Sequence, residues 1–569
     1  MNQKLLDFIE KNNLEENYQN LMNYLNENNI VNNSYDLKLF LHLLAAISEN
    51  HYRTSNFFSK IEKILNNLKS QIQQYYSNSS IFYIFKTNWK VLLFLFDEKI
   101  ISLDNIIFKY ITNDNYMFPY FLPEIKEYIA QNNIDIKKLF NLLKQEEITK
   151  SLPKQYRQKR KIGENDNYMC ELIRNDDIDK FISYVKQNRI YVDSKIKKSI
   201  YETNSFLIRK EVTLIEYASF FGSIQIFKYL FLNKAEITNL VGVYSMHGNH
   251  PEIIEIIKEN IKVKQEWLDE AIKCHHNEIV NYLIRDDQFT IKFSNVCEAY
   301  NFLLFQKEFI NQSNFILFCE YDYISIVEFI ITNTNIDVNN PSQDDIGYPP
   351  LCIATSHNNN EIVQLLLQCS NIDVNLRYGF DKWCTTLYIA ICQENIEIVK
   401  ILLNCKNIDV NKGKIENIDK IKRNRSLPCI EETPLERAII LQNVEIVELL
   451  LENKDIDVNK ISFQYDKYFI YKDGKTPLHS AINKQNIEII KLLLNHKDID
   501  VNAKSFYQKN EYDSEIKATP LYHAIQIENV EIVKLLLESK NIDKKGINNE
   551  NLNLAIRKRN TNIVDLLLK

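Results

Sequence analysis

One phrase recurs along the second half of the chain. It reads Ile336-Asp337-Val338-Asn339, then Ile372-Asp373-Val374-Asn375, Ile408-Asp409-Val410-Asn411, Ile456-Asp457-Val458-Asn459 and Ile499-Asp500-Val501-Asn502, with Ile542-Asp543 as a partial copy. Its aspartates are 36, 36, 48, 43 and 43 residues apart. A fixed phrase at uneven spacing describes a repeat whose insertions fall in one loop. The unit is plainest between Asp473 and Asn502. Thr476 is placed to cap a helix, with its hydroxyl accepting from an amide of the first turn. Pro477 follows at the first helical position, where a missing N–H costs nothing. Leu478, Ala481 and Ile482 share one face, and Ile487 through Leu494 form a second, more apolar helix. Such a pair cannot bury its apolar side alone and needs copies to stack on.

Helix starts are predicted at Pro350, Thr386, Pro434, Pro477 and Pro520, so the excess length lies between each Asn and the next helix, in a hairpin finger. Thr433-Pro434-Leu435-Glu436 has the pattern of a capping box. Glycine is missing after the second helices; Asn404, Asn495, Lys497 and Asp498 stand in that neighbourhood, and Asn is the next-best residue for a left-handed cap. Residues 549–569 are more polar, as an end cap requires.

These residues resemble the ankyrin-repeat family between about 313 and 569, where a unit is about 33 residues. Upstream, Ser219-Phe220-Phe221-Gly222-Ser223 and His247-Gly248-Asn249-His250-Pro251, ahead of Cys274-His275-His276-Asn277-Glu278, resemble the helical region of unknown function that precedes ankyrin repeats in protist proteins. The resemblance implies a stacked helical solenoid that binds other proteins through finger tips and first helices, without catalysis of its own. It leaves the partner open.

The expected fold is all-α: an ankyrin-repeat solenoid of helix–turn–helix units with extended hairpin fingers, preceded by a helical N-terminal domain. Residues 1–150 carry three- and four-residue apolar steps. Residues 151–165 hold a basic run with Lys154, Arg157, Lys159, Arg160 and Lys161, predicted as a solvated linker, with nuclear import as the alternative. Residues 166–312 form a degenerate ankyrin-like region, poorest after 288, and 313–569 the repeats with their cap. Ile81–Phe96 is interrupted by Lys86, Asn88 and Lys90 and is shorter than the roughly 20 apolar residues a span needs, so it is predicted as buried helix without membrane insertion. A formal charge of −6 over 569 residues supplies no global drive toward nucleic acid. Ten cysteines without a CxxC pair suit a reducing compartment, and the start of the chain lacks a signal-peptide pattern. A cytoplasmic location is expected.

Several motifs invite a chemistry and fall short of it. Gly474-Lys475-Thr476 ends like a phosphate loop, but Phe469 stands where the motif needs its first glycine. The Asp-Ile-Asp-Val-Asn runs begin like a calcium loop, yet Lys460 and Asp466, or Ala503 and Lys509, occupy its Gly and Glu positions. Asp and Asn are instead expected to make the turn. His247, His250, Cys274, His275 and His276 are the one cluster worth weighing for zinc. They belong to successive repeats, and stacked helices stand roughly 8–10 Å apart, so structural histidines are preferred. Cys369 and Cys405 sit too far apart for a disulfide. No cofactor and no metal is expected.

The fingers carry the candidate binding residues. One holds Arg377, Tyr378, Phe380 and Trp383; another Phe463, Tyr465, Tyr468, Phe469 and Tyr471; a third Phe506, Tyr507 and Tyr512. Aromatics in a connecting loop want burial, either against the next finger, the preferred reading, or against a partner. Lys414, Lys420, Lys422, Arg423 and Arg425 make one finger basic, either solvated or fitted to an acidic partner or nucleic-acid backbone. The functional expectation is a non-enzymatic scaffold or adaptor for a protein partner; the alternatives are an adaptor that recruits an enzyme, and nucleic-acid binding through the basic finger.

Overall fold

The computed structural model describes residues 1–11, 14–51, 56–134, 155–208, 211–286, 289–341, 347–377, 382–416, 430–465, 472–508, 516–543 and 549–568. They form two compact units, 1–309 and 310–569.

In the first unit, helices Asn2–Glu10, Leu14–Glu27, Ser34–Asn50 and Phe57–Asn67 bury Leu5, Phe8, Leu21, Phe40, Leu44 and Ile61. The apolar stretch near residue 81 is two short helices, Asn78–Phe85 and Trp89–Asp97, whose aliphatic faces are buried. No helix among the described residues is long and apolar enough to cross a membrane. Helix pairs follow: Tyr168–Arg174 with Ile178–Gln187, Leu214–Phe221 with Ile224–Leu232, Asn239–Gly248 with Pro251–Asn260, and Gln265–Lys273 with Asn277–Leu283. Thr213 and Glu216 cap one of them reciprocally.

The expected boundary at 151–165 does not separate two units. Asn2 Nδ2 donates to Tyr300 O at 3.0 Å, and His42 stacks on Tyr300, so the first helices and the degenerate repeats share one unit. Lys154 lies outside the described residues; the rest of the basic run, predicted as a solvated linker, is on a helix from Tyr156 to Ile162 that leaves Arg157 and Lys161 exposed but packs through Tyr156 and Arg160. Arg160 is buried there, bidentate to Glu124 at 2.6 and 2.8 Å, with a further bond to Tyr120 O at 2.9 Å. A guanidinium with a carboxylate and ring faces to meet can be buried, and a count of basic residues does not reveal such partners.

In the second unit, helix pairs begin at Gln312, Pro350, Thr386, Pro434, Pro477, Pro520 and Asn549, including every start predicted from Pro or Thr. First helices pack on first helices and second on second. Ile398, Val399 and Leu402, and their counterparts Ile446, Val447 and Leu450, Ile489, Ile490 and Leu493, and Ile532, Val533 and Leu536, are fully buried.

The recurring Asn ties each repeat to the next. Asn411 Nδ2 donates to Asp455 O at 2.7 Å while its Oδ1 accepts from the Asp457 amide at 2.8 Å. Asn339, Asn375, Asn459 and Asn502 make the same two bonds to residues 371 and 373, 407 and 409, 498 and 500, and 541 and 543. The aspartate two residues earlier accepts from the Asn amide, at 2.9–3.0 Å in all five copies. That is the Asp-and-Asn turn expected from sequence.

The left-handed residue lies elsewhere than expected. Asn404 and His496, which follow second helices, have negative φ. Positive φ falls between the two helices of each pair, at Asp322, Asn358, Glu394, Gln442, Gln485, Glu528 and Arg559. The Asn that follows five of these, Asn395, Asn443, Asn486, Asn529 and Asn560, then caps the second helix.

Two outcomes are expected. Asn411→Ala removes both bonds of one rung and should cost about 1–2 kcal/mol in urea unfolding, with faster hydrogen exchange at the Asp457 amide. Exposed Gln442 holds φ 57°. Gln442→Gly should raise stability by about 0.5–1 kcal/mol in the same assay, since relief of left-handed strain outweighs the added freedom of glycine in the unfolded chain.

Candidate protein-binding face

The fingers rise from the stretch between each Asn rung and the next first helix. Their bases are strands: β1 (Lys382–Trp383), β2 (Lys414–Glu416), β3 (Ile430–Glu432), β4 (Ser462–Tyr465), β5 (Lys472–Lys475), β6 (Ser505–Gln508) and β7 (Ile516–Ala518). All pairings are antiparallel, in two sheets ordered β1-β2-β3 and β4-β5-β6-β7. Within each sheet neighbouring fingers are therefore joined through their backbones: β1 pairs with β2 of the next finger, and β5 closes one hairpin with β4 and pairs outward with β6 of the next. Register sets Phe463, Gly474, Phe506 and Lys517 in one cross-strand row, and Gln464, Asp473, Tyr507 and Ile516 in the adjacent row.

Side chains from the helix starts brace these stems. Tyr388 OH donates to Glu432 Oε2 at 2.8 Å, and Arg437 reaches the same carboxylate at 3.7 Å. Burial, with the Glu432 charge, pushes the Tyr388 phenol well above its ordinary range. Thr385 Oγ1 donates to Lys412 O at 2.9 Å, and the Thr433 amide donates to Ser462 Oγ at 3.3 Å. The buried ring of His479 spans one junction: Nε2 donates to Ala518 O at 3.0 Å, and Nδ1 accepts from the Thr476 hydroxyl at 2.7 Å.

Overlapping segments 289–378, 315–414, 376–462, 416–505 and 505–569 match the family described as Ankyrin repeats (3 copies). Residues 289–569 are ankyrin repeats. Residues 232–309 match a domain of unknown function, DUF3447, the kind of upstream helical region the sequence resembled. Among solved structures, the crystal structure of the ankyrin repeat domain of Bcl-3, a unique member of the IkappaB protein family, is similar at 18% identity and TM-score 0.33, over 45% of this chain and 97% of that one. No curated protein matches. Ankyrin repeats form a protein–protein interaction domain.

On this ankyrin array the candidate residues divide. Arg377 Nε donates to Gly413 O at 2.9 Å, so it links one finger to the next. Trp383 is half-buried in β1 opposite Ile415. Phe463, Tyr465, Phe506 and Tyr507 lie on the strands. Tyr378, Phe380, Lys422, Arg423, Arg425, Tyr468, Phe469, Tyr471 and Tyr512 lie outside the described residues. Cys369 and Cys405 are free, each with its thiol on the carbonyl four residues earlier.

Two local expectations change. Thr385, Thr433 and Thr519 cap their helices through the amide three residues on, whereas Thr476 does not. In that repeat His479 stands at the third helical position. With Nε2–H committed to Ala518 O, its bare Nδ1 draws the hydroxyl proton of Thr476. The capping box at Thr433 forms by half: the Thr433 hydroxyl accepts from the Glu436 amide, but Glu436 Oε1 accepts from Ser480 of the next repeat at 2.6 Å. The brace formed by His479 was missed by sequence reasoning. Its signal is the His three residues after the Thr that precedes the helix.

Burial lowers the His479 pKa to about 4, against about 6.5 when unfolded. The folded chain therefore resists protonation, and the contribution of the neutral ring is full above about pH 6.5 and lost as pH falls toward 4. Urea unfolding across that window should show His479→Gln less pH-sensitive than the parent, by up to about 3 kcal/mol.

Proposed function

We propose that the array is a non-enzymatic scaffold or adaptor that grips a protein partner through its fingers. The observation that carries this reading is the continuous β4–β7 sheet, which stands two aromatic-rich fingers side by side. Its strands include Phe463, Tyr465, Phe506 and Tyr507, and Tyr468, Tyr471 and Tyr512 fall within the same two fingers. Tyr and Phe bring large contact area with few rotatable bonds, which suits interface anchors. Stems held by backbone pairing and by His479 lose little further freedom on binding, which favours affinity. Free thiols fit a reducing compartment, and we place the protein in the cytosol.

The test is retention of a protein from native cytosolic lysate by the full chain. It is run beside a variant with Tyr465, Tyr468, Tyr471, Tyr507 and Tyr512 changed to Ser and shown to melt like the parent. A partner held by the parent should be lost by the variant. Equal retention by both removes the finger reading. Retention that collapses steeply with salt and requires Lys422, Arg423 and Arg425 would instead favour the basic finger.

A further inference from the structure

Helices Asn239–Gly248 and Gln265–Lys273 of the first unit approach closely. Gly242 lies under the Trp267 ring, where an added Cβ would fall 1.9 Å from Cζ2. This approach brings together three buried side chains: His247 near the end of one helix, Glu270 on the other, and Cys274 just after it. One ligand-competent atom from each lies within 4.8 Å of the other two. The sequence places the strings that carry His247 and Cys274 in successive repeats, and stacked helices stand roughly 8–10 Å apart. Both side chains point into the same gap, and Cys274 Sγ is 3.5 Å from His247 Nδ1. Glu270, which no motif flagged, completes the set, while His275 and His276 bond to Ala299 O and Met246 O, as structural histidines do.

The protonation balance at His247 points to a cation. Its Nδ1 lies 3.1 Å from Asn50 O, a carbonyl that can only accept, so Nδ1 carries the hydrogen. Nε2 then presents a lone pair, 3.0 Å from Glu270 Oε1, which also presents lone pairs. Neither atom has a hydrogen-bond partner. Two acceptors at that distance in a dry site need positive charge between them. The rings of Phe206 and Phe220, with centroids 4.5 and 4.7 Å from that of His247, help keep water away.

We propose that His247, Glu270 and Cys274 bind a zinc-class divalent cation that pins the end of helix Ser34–Asn50 to the DUF3447 region. Sulfur, imidazole and carboxylate donors together suit zinc. Donor atoms on tetrahedral zinc stand about 3.3–3.8 Å apart, against the 4.8 Å within which these three lie, so binding draws the side chains together, and a water carried in with the ion supplies the fourth ligand. Binding replaces the thiol proton: Cys274 loses H⁺ to solvent, and thiolate plus carboxylate balance the two positive charges, leaving a neutral buried centre. The outer contacts are already in place. Asn50 O holds the His247 Nδ1–H, and His51 Nδ1 lies 2.8 Å from Cys274 O, fixing the turn that carries the sulfur.

The competing occupant is a single proton that makes His247 an imidazolium beside Glu270. Cobalt(II) titration of the full-length protein separates the two. The expected result is one equivalent of cobalt with a thiolate charge-transfer band and tetrahedral d–d absorption, displaced by zinc. Cys274→Ser should abolish the charge-transfer band, and the isosteric Glu270→Gln should weaken binding about tenfold or more. Cys369→Ser and Cys405→Ser should leave the spectrum intact. A parent protein that shows no such band overturns the proposal without any variant, as does a band that persists in Cys274→Ser. Should Cys274→Ser fail to fold, an unchanged cobalt affinity in Glu270→Gln overturns it equally.

Discussion

Everything in the ankyrin array depends on aliphatic side chains that a single helix pair cannot hide. Ile446, Val447 and Leu450 are dry only because the pairs on either side cover them. Burial of this kind is strong and has no direction: each Ile or Leu is worth about 1.5–3 kcal/mol when fully buried, in whatever rotation about the stacking axis hides it. The Asn rungs supply the missing direction. Each fixes one carbonyl and one amide of the following repeat, so an apolar interface that tolerates sliding acquires a single register. The hydrogen bonds are solvent-facing and modest in energy, but they are directional, and register needs direction more than strength.

The same division of labour explains how spacings of 36 to 48 residues coexist in one stack. Helix-to-helix contacts and Asn rungs lie on one side of each insertion and the first helix on the other, so extra residues lengthen a finger without shifting a repeat. Longer fingers bring unpaired backbone polar groups with them. Pairing β5 with β6 satisfies part of that need, and it removes two of the edges that isolated hairpins would expose. Stems paired this way are stiffer than isolated hairpins.

Local chemistry was legible in the sequence, and long-range partnership was not. Pro350, Pro434, Pro477 and Pro520 announced their helices because proline at the first helical position is decided within one turn. The Asp turns were readable for the same reason. The finger residues were named from composition, but Arg377 bonding to Gly413 depends on which loop lies beside it. Thr476 and Glu436 took partners other than those nearest in sequence, because a competing acceptor or donor, on the same helix or on the next repeat, offered a better bond. Arg160 looked like a solvated charge until Glu124 and Tyr120 were seen around it. The positive φ after each first helix escaped because Glu394, Gln442 and Glu528 carry no mark of a left-handed residue.

The first unit shows what the helix pair does without the Asn phrase. Its pairs are fastened by buried polar contacts between elements far apart in sequence: Asn301 Nδ2 to Ile272 O at 3.0 Å, Asn88 Nδ2 to Ser48 O at 2.9 Å, Lys60 Nζ to Ile9 O at 2.6 Å, and the histidines on the carbonyls of Asn50 and Cys274. Each such group, if left without its partner, costs the full desolvation of a polar atom, roughly 1–3 kcal/mol. A solvent-facing Asn rung carries no such penalty when broken. The ankyrin stack is therefore held at each junction chiefly by its apolar faces, with the rungs setting register, whereas opening the first unit's interior also strands several buried polar groups. A buried site that locks distant helices belongs in a unit of that second kind, which is where His247, Glu270 and Cys274 are found.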